Sequence, residues 1–181
     1  GVMSTVSGGL TTASLQDTLD SGVGSGHVDY ANKPVKLDLI TAGTNYVLQA
    51  YVVGAPTIYS SGIVVTPGAA TSLAFTTQAT STTGDVAFPT QPVVTLQDAG
   101  GNVATGDSSS VVITLGTQSS NTNTPGTLSG DSSMLAVAGV ANFTGKGLTF
   151  DKIATYTLKA SVTGLSDATS DTVSVTAGDV K

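Results

Sequence analysis

Apolar residues in the best-patterned stretches of this chain recur at every second position. From Tyr156 to Val162 the residues Tyr156, Leu158, Ala160 and Val162 share one parity, and Thr157, Lys159 and Ser161 take the other. That is the period-two pattern of a strand with one buried face. Tyr46, Leu48, Ala50 and Val52 repeat it. Further strands are predicted at Leu73 to Phe75, Val93 to Leu96 and Val111 to Leu115. Asp98-Ala99-Gly100-Gly101-Asn102 supplies turn chemistry, with Gly free to take positive φ and Asx side chains able to bond the backbone.

The two alternating stretches belong to longer copies of each other. Tyr46 to Gly68 and Tyr156 to Gly178 align without a gap at an offset of 110, with identity at Tyr46/Tyr156, Leu48/Leu158, Ala50/Ala160, Val52/Val162, Gly54/Gly164, Ser60/Ser170, Val65/Val175, Thr66/Thr176 and Gly68/Gly178. The period matches one β-sandwich domain. Looser matches lie upstream, Val28-Asp29-Tyr30 against Ala141-Asn142-Phe143 and Leu37-Asp38-Leu39 against Leu148-Thr149-Phe150. The predicted organisation is a partial domain over 1–69, holding the C-terminal half of a sandwich, and a complete domain over 70–181. Gly1 to about Gly26 is set against only the loop-like stretch Leu115 to Gly139, so the first domain is expected to lack roughly the first three of seven strands.

Composition points to the same class and removes several functions. The 181 residues include 30 Thr, 21 Ser and 22 Gly; all 12 acidic residues are Asp, all 6 basic ones are Lys, and Cys and Trp are absent. With Glu and Arg missing and Thr and Val abundant, local preference runs toward strands, and the predicted fold class is all-β. The 39% apolar content and mean hydropathy of +0.24 argue against disorder. A net charge of −6 without Arg excludes a phosphate-binding surface, so no nucleic acid or anionic lipid is expected as partner. No apolar run approaches the ~20 residues needed for a spanning helix, and Gly1-Val2-Met3 lacks a charged-then-apolar leader pattern. Without cysteine there is no disulfide, thiolate nucleophile or sulfur-ligated zinc.

The strings LAFTTQ from Leu73, QPVVTLQDAGGNVATG from Gln91, GTLSG from Gly126, GVANFTG from Gly139 and YTLKASVTGL from Tyr156 resemble the tandem bacterial immunoglobulin-like repeats of large surface proteins, adhesins and S-layer proteins. The resemblance covers Ala70 to Gly178 well and Val28 to Gly68 in part. It implies tandem immunoglobulin-like sandwiches, a spacer or assembly role, and an extracellular, cell-surface location. Tyr156, and Tyr46 at the same place in the first copy, then stand where the tyrosine corner of such sandwiches bonds back across a connection. Leu158, Val162, Phe143 and Phe150 are the expected second core, and Pro67 and Gly68 the stiff junction.

Catalytic chemistry has little material. The one histidine, His27, lies in a Gly/Ser-rich loop with no G-x-S-x-G elbow to complete a nucleophilic set, so no enzyme is expected. Asp29 with Asp38, or Asp167 with Asp171, could pair as carboxylates, but Val35, Leu37 and Leu39 take the inward parity and leave Lys36 and Asp38 to solvent. Calcium is the metal to consider, with Asp98, Asn102, Asp107 and Asp131 as candidate oxygen ligands; no D-x-D-x-D-G run exists and the junction Thr66 to Thr71 contains no carboxylate, so no cofactor is expected. A Lys-to-Asn cross-link needs a buried lysine, yet Lys159 points outward by parity and Lys146 sits between glycines. Asn142-Phe143-Thr144 fits the glycosylation triplet.

A sandwich missing its first strands leaves an open edge. Three explanations stand: a fragment cut from a longer array, completion by a strand from a neighbouring repeat or copy, or closure by Met3 to Leu19. The expected function is a structural module of an exported bacterial surface protein, as spacer or assembly unit of an adhesin stalk, surface layer or filament. The alternative is a carbohydrate-binding accessory module of an exported enzyme, with Tyr51 and Tyr59 as its outward aromatics and a glycan as partner.

Overall fold

The computed structural model describes residues 2–6, 15–16, 45–51, 54–119 and 124–178, with 2–6, 15–16, 45 and 51 described through the backbone alone. Among them there are strands and turns and no helix. The chain divides into two compact units, Gly1–Thr66 and Pro67–Lys181. Pro67 and Gly68 therefore belong to unit 2.

Unit 2 contains β6 (Ser72–Thr77), β7 (Thr82–Thr83), β8 (Val93–Gln97), β9 (Ser110–Ser119), β10 (Leu128–Ser129), β11 (Ser133–Leu135), β12 (Val140–Asn142), β13 (Thr149–Phe150), β14 (Ala154–Ser161), β15 (Ala168–Thr169) and β16 (Val173–Thr176). One sheet has the order β11-β9-β14-β16-β7, with β15 also on β14; a second has the order β12-β8-β6; β10 and β13 form a short ribbon. Alternation decides which side chains lie between the sheets. Tyr156, Leu158 and Ala160 of β14 are fully buried, as are Val111 and Ile113 of β9 and Val173 and Val175 of β16; Val94 and Leu96 of β8, Leu73 of β6 and Ala141 of β12 come from the other side, and Phe143, Leu148 and Phe150 fill the end. This is sandwich packing, with one face of each sheet dry. Val162 departs from the expected core. It lies past the end of β14, where Leu165 N–H bonds its carbonyl, and is only half-buried against the cluster.

Unit 1 contains β1 (Val2–Val6), β2 (Leu15–Gln16), β3 (Asn45–Tyr51), β4 (Ile58–Tyr59) and β5 (Ile63–Val64), ordered β2-β1-β3-β4 with β5 also on β3. Its pairings reproduce those of unit 2 residue by residue at the 110 offset. Tyr46 faces Ile63 as Tyr156 faces Val173; Gln49 faces Tyr59 as Lys159 faces Thr169; Ala50 faces Ile58 as Ala160 faces Ala168. On the other side of the central strand, Met3 faces Ala50 and Thr5 faces Leu48 as Ile113 faces Ala160 and Leu115 faces Leu158.

The last pairs correct the sequence reading of the N-terminus. Val2 to Thr5 are the counterparts of residues 112–115, the middle of β9, rather than of the loop-like stretch after Leu115. Thr5 stands where Leu115 stands, so the stretch lost the alternation that marks a strand. β1 thus lies along β3, and β2 lies along the outer side of β1. No strand with the register of β6, β7 or β8 occurs among the described residues of unit 1. Burial follows. Tyr46 is as buried as Tyr156, at 3% and 0% exposure, but Leu48, Ala50, Ile63 and Val65 are half-buried where Leu158, Ala160, Val173 and Val175 are fully covered.

Candidate functional site

Three constructions in unit 2 fix parts of the chain through polar contacts. The first is built on Asp98. Gly101 takes φ 79° in the turn after β8, where Gly101 N–H bonds the Asp98 carbonyl. The Asp98 carboxylate accepts Gly100 N–H and Asn102 N–H through Oδ1, both at 2.9 Å, and Gly68 N–H through Oδ2 at 2.8 Å, while Asn102 Nδ2 bonds both oxygens at 3.2 Å. The segment around Pro67 carries no carboxylate of its own, yet one reaches it from 30 residues along the chain. These donors, Gly68 N–H first and Asn102 next, hold the Asp98 carboxyl below the usual carboxylate range.

Because the folded-state pKa is depressed, this clamp contributes above the unfolded carboxylate pKa and is lost as pH falls through the folded one. The amide proton of Gly68, followed by NMR across an acid titration, is expected to keep its hydrogen-bonded shift through the usual carboxylate range and lose it only below. In Asp98→Ala the bonded shift is absent at every pH. A Gly68 titration midpoint at the ordinary carboxylate value would contradict the clamp.

The second construction is the corner at the start of β14. Tyr156 Oη donates to the Lys152 carbonyl at 2.8 Å, four residues back, and its ring stacks on Phe150 with centroids 3.9 Å apart and planes 15° from parallel. Burial, with the Asp151 carboxylate nearby, pushes the phenol pKa up, so it stays a donor. A serine then ties this strand to the next: Leu158 N–H donates to Ser170 Oγ at 2.8 Å, Ser170 Oγ donates to the Asp171 carbonyl, and Ser170 N–H bonds the Leu158 carbonyl. Unit 1 repeats all three bonds with Leu48, Ser60 and Ser61. Nothing in the alternation pointed to Ser170; its identity with Ser60 was the signal.

The third construction joins the two ends of unit 2. β7, near its start, lies parallel to β16, near its end, with Thr82 opposite Val175 and Thr83 opposite Thr176. Gly84 N–H bonds the Thr176 carbonyl, Ser174 N–H bonds Ser81 Oγ at 3.1 Å and Asp171 N–H bonds Gln78 Oε1 at 3.0 Å. Two of these acceptors are polar side chains, which no strand pattern reveals.

The four calcium candidates do not converge. Asp98 and Asn102 share a turn, but the carboxylate there faces N–H groups, which would repel a cation. Asp107 is capped by Ser109, whose hydroxyl and N–H lower its pKa, and Asp131 lies 3.4 Å from Lys146 Nζ. Among the described residues no three carboxylates or imidazoles stand together. An open cavity of about 640 Å³ lined by Pro67, Gly68, Ala70, Ala104, Asp107 and Ser109 offers only that capped carboxylate. Asp167 pairs with Lys159 at 2.7 Å rather than with Asp171. Lys146, Lys152 and Lys159 all lie at the surface, and Asn142 is exposed with its Oδ1 bonded by Thr144 N–H. Tyr59 is 62% exposed. His27, Asp29, Asp38, Lys36 and the Tyr51 side chain lie outside the described residues.

No family model matches the chain, and no curated protein matches it. Twelve solved chains show structural similarity. Among them is a glycosyl hydrolase family 2 member from Bacteroides cellulosilyticus, 11% identical with a TM-score of 0.42, superposed on 97% of this chain and 21% of that one. The chain thus spans about a fifth of that protein's length.

Proposed function

We propose that this chain is a piece of a tandem array of immunoglobulin-like sandwiches in an exported surface protein, and that its work is to transmit tension. The observation that carries the reading is the parallel pairing of β7 with β16. Pulling the ends of unit 2 apart loads those bonds side by side along the strand direction, so they must break together rather than one at a time. The 110-residue repeat supports an array, since the same strand register is built twice in one chain. A chain without thiols and with few long charged side chains suits an oxidising exterior.

Single-molecule pulling tests this. Unit 2 is expected to yield in one event that releases about 400 Å of chain, roughly 110 residues at ~3.6 Å each. Gln78→Ala with Ser81→Ala removes two β7-side acceptors of N–H groups on the β16 side, each contributing about 1 kcal/mol net. The double variant is expected to shorten the lifetime under constant load about tenfold or more while the core stays folded at zero load. Gradual yielding of unit 2, or a lifetime indifferent to the two substitutions, would sink the tension reading.

A further inference from the structure

Unit 1 carries the receiving half of the β7–β16 pairing, and no giving half occurs among its described residues. In unit 2 the outward edge of the β16 segment is taken by residues 78–84 through Asp171 N–H, Ser174 N–H and Thr176. The 110 offset places Ser61, Val64 and Thr66 at those positions, on a strand whose pairing to β3 keeps the unit 2 register. Val64 is opposite Asn45 as Ser174 is opposite Thr155, so the Val64 N–H points away from β3 as the Ser174 N–H points away from β14. No partner for Ser61 N–H or Val64 N–H appears among the described residues. The surface there is also more apolar than its counterpart. Ile58, Tyr59 and Val64 are 67, 62 and 63% exposed, where unit 2 has Ala168, Thr169 and Ser174.

We infer that the β5 edge of unit 1 is a docking site for one kind of occupant: an extended strand from a neighbouring repeat, of the chemistry of Gln78–Gly84, laid parallel to β5. This rests on the array reading above and names the partner in it. The occupant is short and carries hydroxyl or amide side chains that accept from Ser61 N–H and Val64 N–H, as Gln78 and Ser81 do in unit 2. Backbone pairing supplies affinity and those acceptors set the register. One departure narrows the site. Ser166, which donates its N–H to the Thr71 carbonyl in unit 2, corresponds to Pro56, which has no N–H to give. The incoming strand is therefore held as β7 is, and not by the bond that fixes the start of β6.

Hydrogen exchange of the full chain, read residue by residue by NMR with and without a synthetic peptide of residues 70–86, tests the site. The peptide is expected to slow exchange at Ser61 and Val64 by roughly tenfold or more and to leave unit 2 unchanged. Val64→Pro removes the outward N–H without touching the bonds to β3, so it is expected to abolish the effect while β3 and β4 keep their protection. No slowing at any peptide concentration overturns the inference and leaves the array reading standing. Slow exchange at Ser61 and Val64 in the free chain overturns it by showing the edge closed within the chain. Protection that grows with protein concentration alone overturns it in favour of a second copy. Absence of protection throughout β3 and β4 overturns both the docking site and the repeat on which it rests.

Discussion

Replacing Phe150 with alanine is expected to lower the stability of unit 2 by about 3 to 5 kcal/mol, the cost of removing a fully enclosed aromatic side chain. Three contacts set that size. The ring lies 3.9 Å from Tyr156 in a stack, meets Phe88 edge-on at 5.9 Å, and belongs to β13, whose pairing with β10 closes one end of the sandwich. Its exposure is 0%, so no solvent softens the cavity left behind. Urea unfolding monitored by tyrosine fluorescence is the measurement. A loss under about 1 kcal/mol would mean that the aromatic cluster is looser than the stack implies.

The second large effect compares the two copies at one position. Leu158→Ala is expected to cost about 2 to 5 kcal/mol, because Leu158 is wholly buried between the two sheets of unit 2. Leu48→Ala, at the same register position in unit 1, is expected to cost less than half as much in the unfolding of that unit. Leu48 is only half-buried, and the facing sheet of β6, β8 and β12 has no described counterpart there. Calorimetry of each variant assigns the loss to a transition. Equal costs would mean that Leu48 is covered as Leu158 is, and would argue that unit 1 is already a closed sandwich.

The strand content and the repeat were legible in the sequence, and the reason is particular. β14 alternates strictly because one of its faces is dry along its whole length, so Tyr156, Leu158 and Ala160 carry a period-two signal that survives inspection. β8 is buried on both faces at Val94, Thr95 and Leu96, yet the runs of Val, Leu and Phe in β8 and β6 sufficed. β1 was legible only as one of three explanations for the open edge, because Thr5 stands where its place opposite Leu48 would favour an apolar residue. The polar constructions were less readable. Asp98 was visible as a turn residue and as an oxygen donor, but only the fold reveals that its carboxylate accepts from Gly68, Gly100 and Asn102. Gln78 and Ser81 gave no signal at all, since an acceptor 93 residues from its donor leaves no local pattern.

The central claim is that one plan is built twice at a 110-residue offset, and cross-strand nuclear Overhauser effects in the full chain test it most directly. The account predicts backbone contacts placing Thr5 opposite Leu48 and Tyr46 opposite Ile63, matching those placing Leu115 opposite Leu158 and Tyr156 opposite Val173. A shift of even one residue between the two sets would turn the unit 1 side chains to the other face and contradict the repeat, the open β5 edge and the modular reading together.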